Sequence, residues 1–100
     1  MYIAMNRFQI KPGKEHLFEE IWRNRDTHLK EVPGFVEFHL LKGETEKNFT
    51  LYASHTIWGS KKDFIAWTKS EEFRKAHQGA GSHNEIYLGH PKFEGFDTVL

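Results

Sequence analysis

Four stretches of strand character, interrupted by one long helical-period segment and a second helical region, predict an α+β chain of order βαββαβ built on one antiparallel sheet. A short polar bridge between the second and third strands favours an antiparallel hairpin there. No internal repeat or low-complexity tract points to another architecture.

Residues 2 to 10 alternate, with Tyr2, Ala4, Asn6, Phe8 and Ile10 on one face and Ile3, Met5, Arg7 and Gln9 on the other. Lys11-Pro12-Gly13 ends this strand. From Lys14 the period lengthens. Leu17, Phe18, Ile21, Trp22 and Leu29 fall at helical spacing, and Lys14, Glu15, Glu19, Glu20 and Arg23 fill the remaining arc. An amphipathic helix is therefore expected to run to about residue 29, ahead of Pro33-Gly34. Residues 35–42 and 49–58 read as the next two strands, bridged by Gly43-Glu44-Thr45-Glu46-Lys47-Asn48. Ser60 with Asp63 three positions later, and then Ser70-Glu71-Glu72, mark the starts of two short helices over roughly 61–69 and 71–78. Residues 79–91 carry three glycines and no periodicity, and read as one long loop. A last strand follows over 92–99, with Phe93 and Phe96 expected to be buried. This order is the split βαβ, or ferredoxin-like, arrangement, with residues 1–100 as a single domain. Its helices cover one sheet face, and a chain this short has no second helical layer for the other. Pairing of two copies through their sheets, giving a homodimeric α+β barrel, is the expected solution.

Composition excludes several classes of function. Fourteen Lys and Arg balance fourteen Asp and Glu, so no basic excess exists to grip nucleic acid or an anionic membrane. The absence of cysteine removes disulfides, thiolate catalysis and iron–sulfur clusters. Apolar runs are too short for a membrane span, and residues 1–7 do not resemble a signal peptide, so a cytoplasmic location is expected. No histidine pair has zinc-motif spacing, and neither a phosphate-binding glycine loop nor a nucleophile elbow is present. What stands out is fifteen aromatic residues, three of them Trp, and seven His.

Three residues could carry chemistry. Asn6 lies between Ala4 and Phe8 on an apolar strand face; its amide is either satisfied by neighbouring backbone or free to bond an oxygen species in a cleft. Trp67 follows Phe64 by three residues, so both should point inward, as core packing or as the wall of a flat ligand's site. His77 closes the second short helix, one turn beyond Phe73, where it either caps carbonyls or meets a metal. In a chain without cysteine, neutral imidazole is the natural protein ligand for a haem iron.

The run Thr56-Ile57-Trp58-Gly59-Ser60-Lys61-Lys62-Asp63-Phe64-Ile65-Ala66-Trp67-Thr68-Lys69-Ser70-Glu71-Glu72-Phe73-Arg74-Lys75-Ala76-His77 resembles the antibiotic biosynthesis monooxygenase superfamily, and within it the IsdG-like haem-degrading monooxygenases. The shared pattern is a Trp ending a strand, then an aromatic, a Trp, a Ser, a Phe and a His across two short helices. Ala4-Met5-Asn6-Arg7-Phe8 and Val32-Pro33-Gly34-Phe35 also resemble the family, so the likeness spans nearly the whole chain. It implies haem b as substrate and cofactor, cleaved with O2 and electrons from an external reductase to a biliverdin-like bilin, with release of iron. By resemblance His77 is the iron ligand, Asn6 a distal hydrogen-bond donor, and Trp67 the residue that ruffles the porphyrin. Trp22 and Phe64 would pack on the macrocycle and Arg25 would meet a propionate. Two other readings stand beside this one: cofactor-free oxidation of a polycyclic aromatic to a quinone, and haem binding without chemistry.

Overall fold

The computed structural model describes residues 1–25, 29–76 and 85–100. Four antiparallel strands, β1 (Tyr2–Ile10), β2 (Phe35–Thr45), β3 (Thr50–Trp58) and β4 (Lys92–Asp97), form one sheet in the order β2-β3-β1-β4. Helices α1 (Glu15–Asn24), α2 (Lys61–Thr68) and α3 (Glu71–Ala76) and a 3-10 turn at Leu29–Glu31 complete the ferredoxin-like α+β fold.

Strand parity decides what the helices cover. Tyr2, Ala4, Phe8 and Ile10 of β1 are buried, as are Thr50, Tyr52, Ser54, Thr56 and Trp58 of β3, which pair with the same face. Beneath the helices this face splits into two cores. One gathers Tyr2, Ala4, Leu29, Trp58 and Trp67; the other gathers Phe8, Ile10, Phe18, Tyr52 and Ile86. Asn6 stands between them on β1, flanked by Ala4 and Phe8. The opposite face carries Ile3, Met5, Leu51 and Ile57 half-buried, with Leu41 and Phe96 exposed.

Capping separates α2 from α3. Ser60 takes an extended N-cap conformation and its Oγ accepts the Asp63 N–H at 3.2 Å, as the spacing predicts. Ser70 works at both ends: its hydroxyl donates to the Trp67 carbonyl at 2.6 Å and accepts the Phe73 N–H at 3.2 Å. One side chain thereby closes α2, opens α3 and brings Trp67 and Phe73 into edge contact, with ring centroids 4.8 Å apart.

Several expectations need correction. The first helix stops at Asn24, not near residue 29: Arg25 is extended, and its N–H reaches back only to the Trp22 carbonyl. The apolar period ends at Trp22, so Arg23 and Asn24 are exposed and offer nothing to bury, and Leu29 enters the core from the 3-10 turn instead. The second strand extends three residues past its expected end, through an irregular register between Lys42 and Thr45. The last strand ends at Asp97, and neither Phe93 nor Phe96 is buried, at 50% and 48% exposure. Strand β4 is an edge strand whose parity aims Phe93 inward at the sheet rim and Phe96 outward beside Ile3. Part of the expected loop is also structured. Ile86 is fully buried, Tyr87 bridges to Ile10, and the Ile86 carbonyl and Leu88 N–H bond to Lys11 and Gln9. The expected continuation of the last helix to residue 78, and residues 79–84 of the loop, lie outside the described residues.

Candidate active site between sheet and helices

Phe38, Thr56 and Ala4 from one row of cross-strand neighbours, and Ser54, Asn6 and Phe93 from the next, line a cavity of about 430 Å³ between the two cores. Phe38, Thr56, Ala4 and Gly95 make the first row, and Leu40, Ser54, Asn6 and Phe93 the second. Small side chains occupy the centre of both rows. The rows on either side hold Tyr2 with Trp58 and Phe8 with Tyr52, whose bulk supports the helices above. A sheet centre of Ala, Ser, Thr and Asn between two bands of aromatics therefore leaves a recess of ligand size.

The walls are aromatic. Trp67 lines the cavity from α2, 8% exposed, tilted against Trp58 at 5.2 Å and beside Phe64 at 6.1 Å. Phe64 in turn stacks nearly parallel on Phe93, with centroids 5.6 Å apart and planes 9° from parallel. Across the opening Trp22 stacks on Phe38 at 5.6 Å and 17°. The Arg25 guanidinium lies over the Trp22 ring, 4.2 Å from its centroid.

Electrostatics single out Arg25. No carboxylate among the described residues pairs with it. Burial pulls its pKa below the ordinary arginine value, an effect partly offset by Tyr87, whose phenol is itself pushed up by burial. A half-buried cation at the mouth of an apolar cavity, stacked on an indole and unpaired with any carboxylate among the described residues, is suited to receive an anionic group of a ligand.

Of the residues picked out from sequence, Asn6, Trp22, Arg25, Phe64 and Trp67 all line this one cavity. His77 lies outside the described residues, as do His28 and His83. The four described histidines are not among the lining residues: His39 and His55 face each other on the outer side of the sheet, and His16 and His90 are exposed. Sequence reasoning missed Ala4, Leu29, Phe38, Ser54, Thr56, Thr68, Phe73 and Phe93 as cavity residues. Ser54 and Thr56 gave the signal that flagged Asn6, a polar residue at an inward strand position, but Ser and Thr are too ordinary in strands to attract notice.

The lining suits a large flat ligand with carboxylate substituents. Its walls are apolar and aromatic, three polar side chains, Asn6, Ser54 and Thr56, rise from its floor, and a cation stands at its edge. No helix among the described residues is long and apolar enough to cross a membrane.

Comparison with known proteins agrees with this layout. The family model for antibiotic biosynthesis monooxygenases matches residues 1–79. A heme-degrading monooxygenase of Shouchella clausii is 33% identical over 104 residues, spanning 100% of this chain and 92% of the relative. A staphylobilin-producing heme oxygenase of Staphylococcus saprophyticus is 30% identical over 82 residues, spanning 79% and 75%. Among solved structures, the heme-degrader MhuD of Mycobacterium tuberculosis, with two hemes in its active site, shares the fold at a TM-score of 0.75 and 24% identity, covering 100% of this chain and 97% of its own. SnoaB, a cofactor-independent oxygenase of Streptomyces nogalater, shares it at 0.71 and 19%, covering 99% and 93%. The chain belongs to the antibiotic biosynthesis monooxygenase family, in the branch of the IsdG-like haem-degrading monooxygenases.

Proposed function

We propose that this chain binds haem b in the cavity between sheet and helices and degrades it, with O2 and external electrons, to a bilin while releasing iron. The observation that carries the reading is the cavity itself: aromatic walls, a floor with polar side chains at its centre, and an arginine at its rim with no carboxylate partner among the described residues. Its relatives, named as heme-degrading monooxygenases and a heme oxygenase, support the same reading. When bound, haem supplies the iron at which oxygen is activated and is itself the molecule cleaved.

The chain's own residues take separate tasks. His77 ligates the iron; Phe73, four positions earlier in sequence, lines the helix side of the cavity. Asn6 donates a hydrogen bond from the sheet side. Trp67 presses on the macrocycle, braced by Trp58 and Phe73. Trp22 and Phe64 pack against it, and Arg25 pairs with a propionate. The electrons come from a reductase partner, and the protein works in the cytoplasm.

Titration with hemin tests the reading. One hemin per chain with a histidine-ligated Soret band is expected, whereas no Soret change would favour the cofactor-free oxidation of a polycyclic aromatic.

The working unit is a homodimer. The helix-free sheet face, with Ile3, Met5, Leu41, Ile57 and Phe96, is apolar enough to demand cover, and a second copy offers the same face in return. Light scattering at micromolar concentration is expected to give about twice 11.8 kDa, and a monomer would contradict the assignment.

A further inference from the structure

We infer that the Ser54 hydroxyl is a second polar anchor on the cavity floor, acting beside Asn6 to fix the direction in which a small ligand on the haem iron leans and hence the position at which the macrocycle is cleaved. The inference rests on the haem reading above.

Four uncharged polar side chains line the cavity: Asn6, Ser54, Thr56 and Thr68. Two of them are already committed. The Thr56 hydroxyl donates to the Ala4 carbonyl at 3.2 Å, and that of Thr68 donates to the Ile65 carbonyl at 2.6 Å. The side chains of Asn6 and Ser54 have no hydrogen-bond partner among the described residues. Ser54 is only 8% exposed, and a hydroxyl buried to that degree is normally bonded. Its oxygen is not among the fully occluded unpaired atoms, so the surface it retains is directed into the cavity it lines.

Register makes the two residues a pair. Asn6 and Ser54 are direct cross-strand neighbours on β1 and β3, with side chains on the inward face. Cβ atoms of such neighbours stand roughly 5 Å apart. A small ligand on the iron held by one hydrogen bond can swing about that bond, whereas two partners a few ångströms apart fix its direction. Both groups rise from the sheet, opposite the α2 and α3 side that carries Trp67 and Phe73, so both address the same face of the ligand. An amide can donate and accept, and a hydroxyl can rotate to do either, so together they can hold an anion or a polarised oxygen from two directions.

The test compares wild type, Ser54→Ala and Ser54→Thr, the last keeping a hydroxyl at the same site. Each is loaded with hemin, and fluoride, a small acceptor anion that binds ferric iron, is titrated in. Ser54→Ala is expected to weaken fluoride binding about three- to tenfold, the size of one net hydrogen bond, with Ser54→Thr within about twofold of wild type. Chromatography of the bilin products should show one dominant isomer for wild type and Ser54→Thr and a mixture for Ser54→Ala. Wild-type fluoride affinity together with an unchanged isomer pattern in Ser54→Ala overturns the inference while leaving the haem reading intact. Failure of wild type to bind hemin overturns both.

Discussion

His77→Ala is expected to abolish haem turnover and to remove the spectrum of a histidine-ligated ferric haem, leaving only weak binding through apolar contact and the Arg25 pairing. The expectation rests on the supply of ligands. The chain has no cysteine, and the four described histidines do not line the cavity: two lie on the outer sheet face and two are exposed. Neutral imidazole is the remaining protein ligand suited to haem iron, and of His28, His77 and His83, which lie outside the described residues, His77 is the one that the family resemblance assigns to the iron. The control is His90→Ala, which should keep the wild-type spectrum because His90 is exposed and does not line the cavity. A normal ligation spectrum in His77→Ala would remove His77 from the site.

Trp67→Phe is expected to bind hemin within about threefold of wild type and to degrade it several-fold more slowly. The indole is held on three sides, by Trp58, Phe64 and Phe73, so its face toward the cavity is rigid. A smaller ring keeps an apolar wall but relieves the pressure that would distort a bound macrocycle. The same change empties part of a packed cluster and should cost on the order of 1–3 kcal/mol of stability. Thermal unfolding measured beside turnover separates the two effects. Full activity with a lowered Tm would assign Trp67 to packing alone.

Much of this architecture was legible because strand parity and helical period are local properties. Tyr2, Ala4, Asn6, Phe8 and Ile10 share a face as their alternation requires, and Ser60 and Ser70 cap the helices that their spacing announces. Asn6, which lines the cavity, was legible as a candidate because an amide on an apolar face needs a reason. What escaped detection depends on tertiary context. The recess exists because Ala4, Ser54 and Thr56 from two strands meet at the centre of the sheet, a coincidence no single segment displays. Ile86 and Tyr87 make too short an apolar run to suggest structure, yet the end of β1 supplies backbone partners for that segment. Phe93 and Phe96 are apolar enough to suggest burial, but an edge strand leaves both half exposed.

The most direct test of haem degradation is a single-turnover assay on the hemin-loaded protein in air, with ascorbate or a reductase as electron source and catalase present to remove free peroxide. Absorbance and chelatable iron are followed together. The account predicts loss of the Soret band, growth of a bilin absorbance, and release of about one iron per haem, consistent with oxidative opening of the ring. A Soret band that persists with its iron retained, under conditions where the haem is fully reduced, would contradict it and leave a haem-binding protein without this chemistry.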